Sequence, residues 1–168
     1  MKKLIALIIT VVIANSFSSQ LNAQASVCGG FHRKHCKMEG TKDDDREFMY
    51  NAQSKSGLFA QGSTSKLRCV VYKGMDYRLT VCAETDILGS NIQFKITDAK
   101  TKEELFDNTK EENAKQFEFS SSTTRQLIIE VTVPSGESKE QKGKPTDAAC
   151  VGLLIEHKVS DRVGLSTY

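Results

Sequence analysis

The 168-residue sequence contains no tryptophan and only four tyrosines. An aromatic platform of the kind that stacks ligands and sugar rings therefore has little to be built from. No G-x-S-x-G occurs, which excludes the nucleophile elbow of the α/β-hydrolases. Ser135 and Ser138 in "PSGES" lie in a charged loop with no base beside them. His157 sits beside Glu156 near the end of an apolar run and reads as a surface-strand histidine. Cys69 has neither a neighbouring base nor any sign of partial exposure, so it does not read as a reactive thiol. No catalytic residue and no cofactor are expected, and the chain does not read as an enzyme.

Long apolar runs are also missing after the N-terminus. The one such run, "LIALIITVVIA" (Leu4 to Ala14), falls short of the ~20 residues that a spanning helix needs. It follows the basic "MKK" and precedes "LNAQA", whose small residues suit cleavage after Ala23 or after Ala25. That is the layout of a bacterial secretory signal peptide, residues 1–25. A lipoprotein is disfavoured because Val27, not a small residue, precedes Cys28. The mature product is expected to be soluble, exported to the periplasm or beyond, and not stably inserted in a membrane.

Net positive charge is lacking once the signal is removed. Loss of Lys2 and Lys3 takes the 23 basic residues to 21, equal to the 21 acidic ones. A neutral chain without a basic stripe gives no support to nucleic-acid binding. About 145 mature residues suit one domain with a real core.

What the chain does have is five cysteines, all in the mature part: Cys28, Cys36, Cys69, Cys82 and Cys150. In an exported protein they read as disulfides, with at least one left over. Residues 26–45 read as a cysteine-bearing irregular leader, residues 46–160 as the folded domain and residues 161–168 as an exposed tail. In "REFMYNAQSKSGLFAQGSTS" the first half suits a short helix capped by Asp44 or Asp45, and "SKSGLF" a first edge strand. From Leu67 onward the apolar period is two. "LRCVVY" and "YRLTVC" flank "KGMD", a hairpin signal. "NIQFKITD", "KQFEFS", "RQLIIEVTV" and "CVGLLIEHK" each place a set of alternate large apolar residues on one face. Residues 98–116 are rich in helix formers, but Leu105 and Phe106 are their only large apolar residues. They read as a strand, "ELFDN", between polar turns, with a helical turn near Lys110 to Ala114. The sum is an all-β antiparallel sandwich.

The succession "LRCVVYKGMDYRLTV", "IQFKITDAKTKEELFDN", "FEFSSSTTRQLIIEVTV", "CVGLLIEHK" resembles the bacterial pre-peptidase C-terminal domain family over about residues 54–158. The family's members are small secreted jelly-roll-like sandwiches. The resemblance implies an accessory or binding module and no catalysis. The cysteine-bearing leader, the extra cysteines and the long loop after Val133 depart from that pattern.

Pairing the cysteines needs strand geometry. A hairpin closed through Gly74–Met75 sets Cys69 opposite Thr80 and Cys82 opposite Leu67, which makes the two cysteines diagonal neighbours roughly 7–8 Å apart. That is a poor fit to a disulfide. The expected pairs are therefore Cys82–Cys150, stapling the late strand to an earlier one, and Cys28–Cys36, closing a short loop. Cys69 is expected to stay free as a small core residue.

"CGGFHRKHC" gathers Cys28, His32, His35 and Cys36 in an order unlike a standard zinc site, so the two histidines remain weak metal candidates. Asp43, Asp44, Asp45 and Glu47 lack the spacing of a calcium loop and read as a solvated turn. Residues 134–148 form a polar loop, with the chain's two prolines at its start (Pro134) and near its end (Pro145), ahead of Ala148. This loop and the sheet edges are the candidate binding surfaces. The expected partner is an envelope or extracellular protein or polysaccharide. The competing expectations are a small secreted hydrolase or inhibitor on the same scaffold, and a periplasmic metal-binding protein.

Overall fold

The structure, a computed structural model, describes residues 27–37, 48–136 and 147–160. The signal segment, Asp43 to Asp45 with Glu47, the middle of the 134–148 loop and the C-terminal tail lie outside the described residues.

Two antiparallel sheets pack face to face. The first holds β1 (Met49–Tyr50), β2 (Lys55–Ala60), β4 (Met75–Ala83), β7 (Gln116–Ser121) and β9 (Ala148–Val159). Its order is β1–β9–β4–β7, with β2 also on β9. The second is ordered β3–β8–β5–β6 and holds β3 (Thr64–Val71), β5 (Gln93–Asp98), β6 (Glu104–Asp107) and β8 (Arg125–Thr132). Alternation decides which residues enter the core. Tyr77, Leu79 and Val81 of β4 and Val151, Leu153 and Ile155 of β9 face Phe94 and Ile96 of β5 and Leu127 and Ile129 of β8, all buried in one cluster. Each such side chain contributes about 1.5–3 kcal/mol on leaving water. The sandwich expected from the period-two pattern is the one observed.

Asn108 opens a 3-10 turn (Asn108–Lys110) after β6 and is fully buried. Its amide accepts from the Phe94 N–H at 2.8 Å and donates to the Ile92 carbonyl at 2.9 Å and the Ala114 carbonyl at 3.2 Å. The helix-rich composition of 98–116 thus yields a strand followed by a single turn, because strand pairing and this buried amide override propensity.

Two expectations are corrected by the strand pairing. β3 and β4 do not form a hairpin. β3 pairs with β8, whereas β4 pairs with β7 and β9, so the "KGMD" turn carries the chain from one sheet to the other. Gly74, with φ of 77°, makes that crossing. Alternation specifies a face, not a neighbour. In "REFMYNAQ", Met49–Tyr50 is extended and pairs with Glu156 and His157, where the sequence offered a short helix, while the preferred edge strand "SKSGLF" is observed as β2.

The disulfide expectation is also overturned. The bridges are Cys28–Cys150 and Cys36–Cys82, with Cα–Cα distances of 5.4 Å and 5.0 Å. Within residues 26–45, read as irregular, the chain forms a short helix, α1 (Phe31–His35). Cys28 and Cys36 lie on either side of α1, which holds them apart. Cys82 pairs with Gly152 in the β4–β9 ladder, so Cys150 is its diagonal neighbour on the outer face. The geometry that keeps Cys69 from Cys82 in a hairpin keeps Cys82 from Cys150 here. Laid across that face, α1 reaches one cysteine on each strand. Gly152 lies beneath it. Cys69 is the free cysteine, buried in the opposite sheet across from Leu127. A second short helix, α2 (Thr85–Leu88), follows β4.

Candidate functional site

The two flanks of the sandwich differ. On the β6–β7 side aromatic rings close the gap between sheets. Phe106 of β6 stacks on Phe117 of β7 with centroids 4.1 Å apart. Phe94 meets Phe106 at 5.0 Å, and Phe117, Phe119 and Tyr77 continue the row at 5.5 and 5.6 Å.

The β2–β3 side is open. A slot of about 260 Å³ runs between the sheets there, with Ile129, Val131, Val151 and Leu153 at its floor and Phe59 and Leu67 at its walls. The cause lies in β2. Its inward-facing positions are Lys55, Gly57 and Phe59, so only one of the three supplies a core side chain. At Gly57 the nearest atom to a built β-carbon is Phe59 Cε2 at 3.4 Å, ordinary contact distance. Lys55 stands exposed at the mouth.

The edge strand beside the slot is interrupted. Between β1 and β2 the Ser54 hydroxyl accepts from the Ile155 N–H at 2.9 Å and lies 2.7 Å from the Asn51 carbonyl and 3.1 Å from that of Ile155. The neighbouring Gln53 reaches across to sheet two. Its amide donates to the Val70 carbonyl at 3.0 Å and accepts from the Val70 N–H at 2.7 Å.

Next to the slot, on the outer face, the His32 ring is buried against β2 and β1. The Ser56 hydroxyl lies 2.6 Å from His32 Nδ1 and accepts from the His32 backbone N–H at 2.9 Å. On the other side of the ring, Nε2 lies 3.2 Å from the Tyr50 hydroxyl. Burial lowers the His32 pKa, helped by the positive charges of Arg33 and Lys55. Arg33 lies over the Tyr50 ring at 4.1 Å. The Ser56–His32 contact has the distance of a nucleophile–base pair, but the far imidazole nitrogen meets a phenol where a triad has its orienting acid. Ser56 is also held by a backbone donor. This arrangement suits fixing α1 to the sheet.

The sequence-predicted residues fall as follows. His32 has both ring nitrogens engaged, and His35 is exposed and stacks on Phe31 at 4.4 Å. The cysteines between which they lie are consumed by bridges. Among the described residues no group of three or more His, Cys, Asp or Glu is placed to hold a metal. His157 is half-buried on β9, with Tyr77 6.2 Å from its ring and the Asn51 amide 3.4 Å from Nδ1. Pro134 and Ser135 line a polar hollow of about 440 Å³ at one end of the sandwich, with Asn91, Gln93 and Asn113. Ala148 begins β9; Ser138 lies outside the described residues. Burial pushes the Cys69 thiol up to about 11. Among the described residues no helix is long and apolar enough to cross a membrane. The slot itself was missed by the sequence reading. Its signal is the inward series Lys55–Gly57–Phe59, a lysine and a glycine where a core strand has apolar residues.

No family model matches the chain, and no curated protein matches it. Among solved structures it is similar to PliG of Aeromonas hydrophila, a periplasmic inhibitor of g-type lysozyme. The TM-score is 0.44 at 14% identity, covering 62% of this chain and 84% of that one. A likeness of this degree carries no inference about function.

Proposed function

We propose that the chain is an exported, non-catalytic binding module that holds a partner protein of the cell envelope or exterior at its open flank. One observation carries the reading: a sandwich sealed by stacked rings on one side keeps an apolar slot between its sheets on the other. An unfilled apolar opening costs hydration that a partner's side chain would relieve. Two disulfides fit an oxidising compartment, in keeping with the signal-like N-terminus. The role agrees with the accessory modules that the sequence resembles.

The test places a photo-crosslinking amino acid at Lys55 or at Leu67 of the mature oxidised protein and exposes it to the envelope fraction of its source. The expected result is one recurring protein crosslinked at both positions and lost in a Gly57→Val background, which fills the slot. Crosslinks no stronger than those from a position on β6, or unaffected by Gly57→Val, overturn the proposal.

A further inference from the structure

The mode of binding follows from the backbone of β3, and it rests on the open flank being the binding face. Both polar backbone groups of Val70 bond to the Gln53 side chain, so they point away from β8. Along an antiparallel pair this direction recurs at every second residue. The N–H and C=O groups of Lys66 and Arg68 therefore also aim outward, at an edge that no strand among the described residues continues. Gln53 imitates a neighbouring strand for one residue and then stops.

We infer that the partner presents an extended segment that adds to β3 as a further strand, with apolar side chains alternating with acidic ones. Strand addition satisfies the outward groups of Lys66 and Arg68 through main-chain bonds, and side-chain pockets set the specificity. Positions opposite Ser65 and Leu67 face the slot, beside Phe59, and take apolar side chains. Positions opposite Lys66 and Arg68 face the outer surface. Lys66 already pairs with Glu130 at 2.7 Å. Arg68 makes no ion pair among the described residues. An acidic side chain on the outer face complements it.

Basic residues on an edge strand also guard against self-association. The two roles agree. A second copy of this chain would bring its own Lys66 and Arg68 against these, whereas an acidic segment is accepted. The edge thus rejects itself and selects its partner by one set of charges.

The test selects random short peptides, displayed on phage, against the mature oxidised protein, with counter-selection on a Lys66→Pro variant. Proline is tolerated on an edge whose N–H faces outward, so Lys66→Pro blocks addition and leaves the β3–β8 ladder intact. Enriched peptides are expected to alternate apolar and acidic residues. A synthetic copy is expected to lose affinity at least about tenfold when the N–H groups of one edge are methylated. Arg68→Pro serves as a second block if Lys66→Pro does not fold, and the methylated peptide needs no variant. Absence of enrichment, enrichment without alternation, or equal binding by the methylated peptide overturns strand addition. If the crosslinked partner still depends on Gly57 in that event, the open flank stands and only the mode of binding falls.

Discussion

A β-carbon built on Gly152 comes within 2.7 Å of the Cys36 sulfur and 2.8 Å of the His32 α-carbon. The helix that carries His32 and the cysteine that follows it therefore lie directly on the backbone of β9 at Gly152. The helix cannot lift, because a disulfide ties it down on each side.

Gly152→Ala is expected to destabilise the oxidised protein by about 1–3 kcal/mol, the usual cost of forcing atoms into a filled space. Strand propensity alone predicts the opposite sign, since glycine weakens a strand interior. Urea unfolding of the two proteins decides between them.

Non-reducing peptide mapping is expected to recover Cys28–Cys150 and Cys36–Cys82 and to leave Cys69 alkylated only after denaturation. The bridges span 122 and 46 residues. Loop-closure entropy assigns them about 5 and about 4 kcal/mol respectively when each is removed alone from the chain. Paired serine substitutions with thermal melts measure the losses. A recovered Cys82–Cys150 peptide would refute the arrangement.

Stability is expected to fall with acid through His32. Its folded pKa lies below the ordinary 6.5, so below about that pH the unfolded chain binds the proton that the folded ring resists. The contribution is complete above the unfolded value and declines as pH drops towards the folded one. Melting temperatures between pH 7.5 and 5 trace this decline, and His32→Asn is expected to flatten the slope.

With a thiol pushed up to about 11 by burial, Cys69 is expected to stay unreactive towards iodoacetamide in the native protein at pH 8. One equivalent should react in denaturant. Fast native labelling would mean that the core around β3 opens readily.

The strands were legible because each one spells its buried face in alternate residues, as Phe94 and Ile96 do in β5. What stayed hidden were relations between segments. "KGMD" reads the same whether its strands pair with each other or enter different sheets, and β3 and β4 do the latter. The cysteine pairs depended on where α1 lies, and nothing local to Phe31–His35 specifies the outer face of β9. Two mid-strand glycines were overlooked signals, one for the placement of α1 and one for the slot. Gly152 inside "CVGLLI" marks a close backbone approach, and Gly57 inside "KSGLFA" marks the unfilled slot. A glycine in the middle of a strand is informative when its neighbours are large and apolar.

The bridge from Cys28 to Cys150 also dictates a timetable. A polypeptide delivered amino-end first presents Cys28 early, with Cys36 as its nearest thiol, while its proper mate arrives 122 positions later on the final strand. Maturation must therefore either keep that first sulfur waiting or undo a premature local link. Export machinery lacking a thiol-shuffling catalyst would be expected to accumulate crosslinked but misassembled chains.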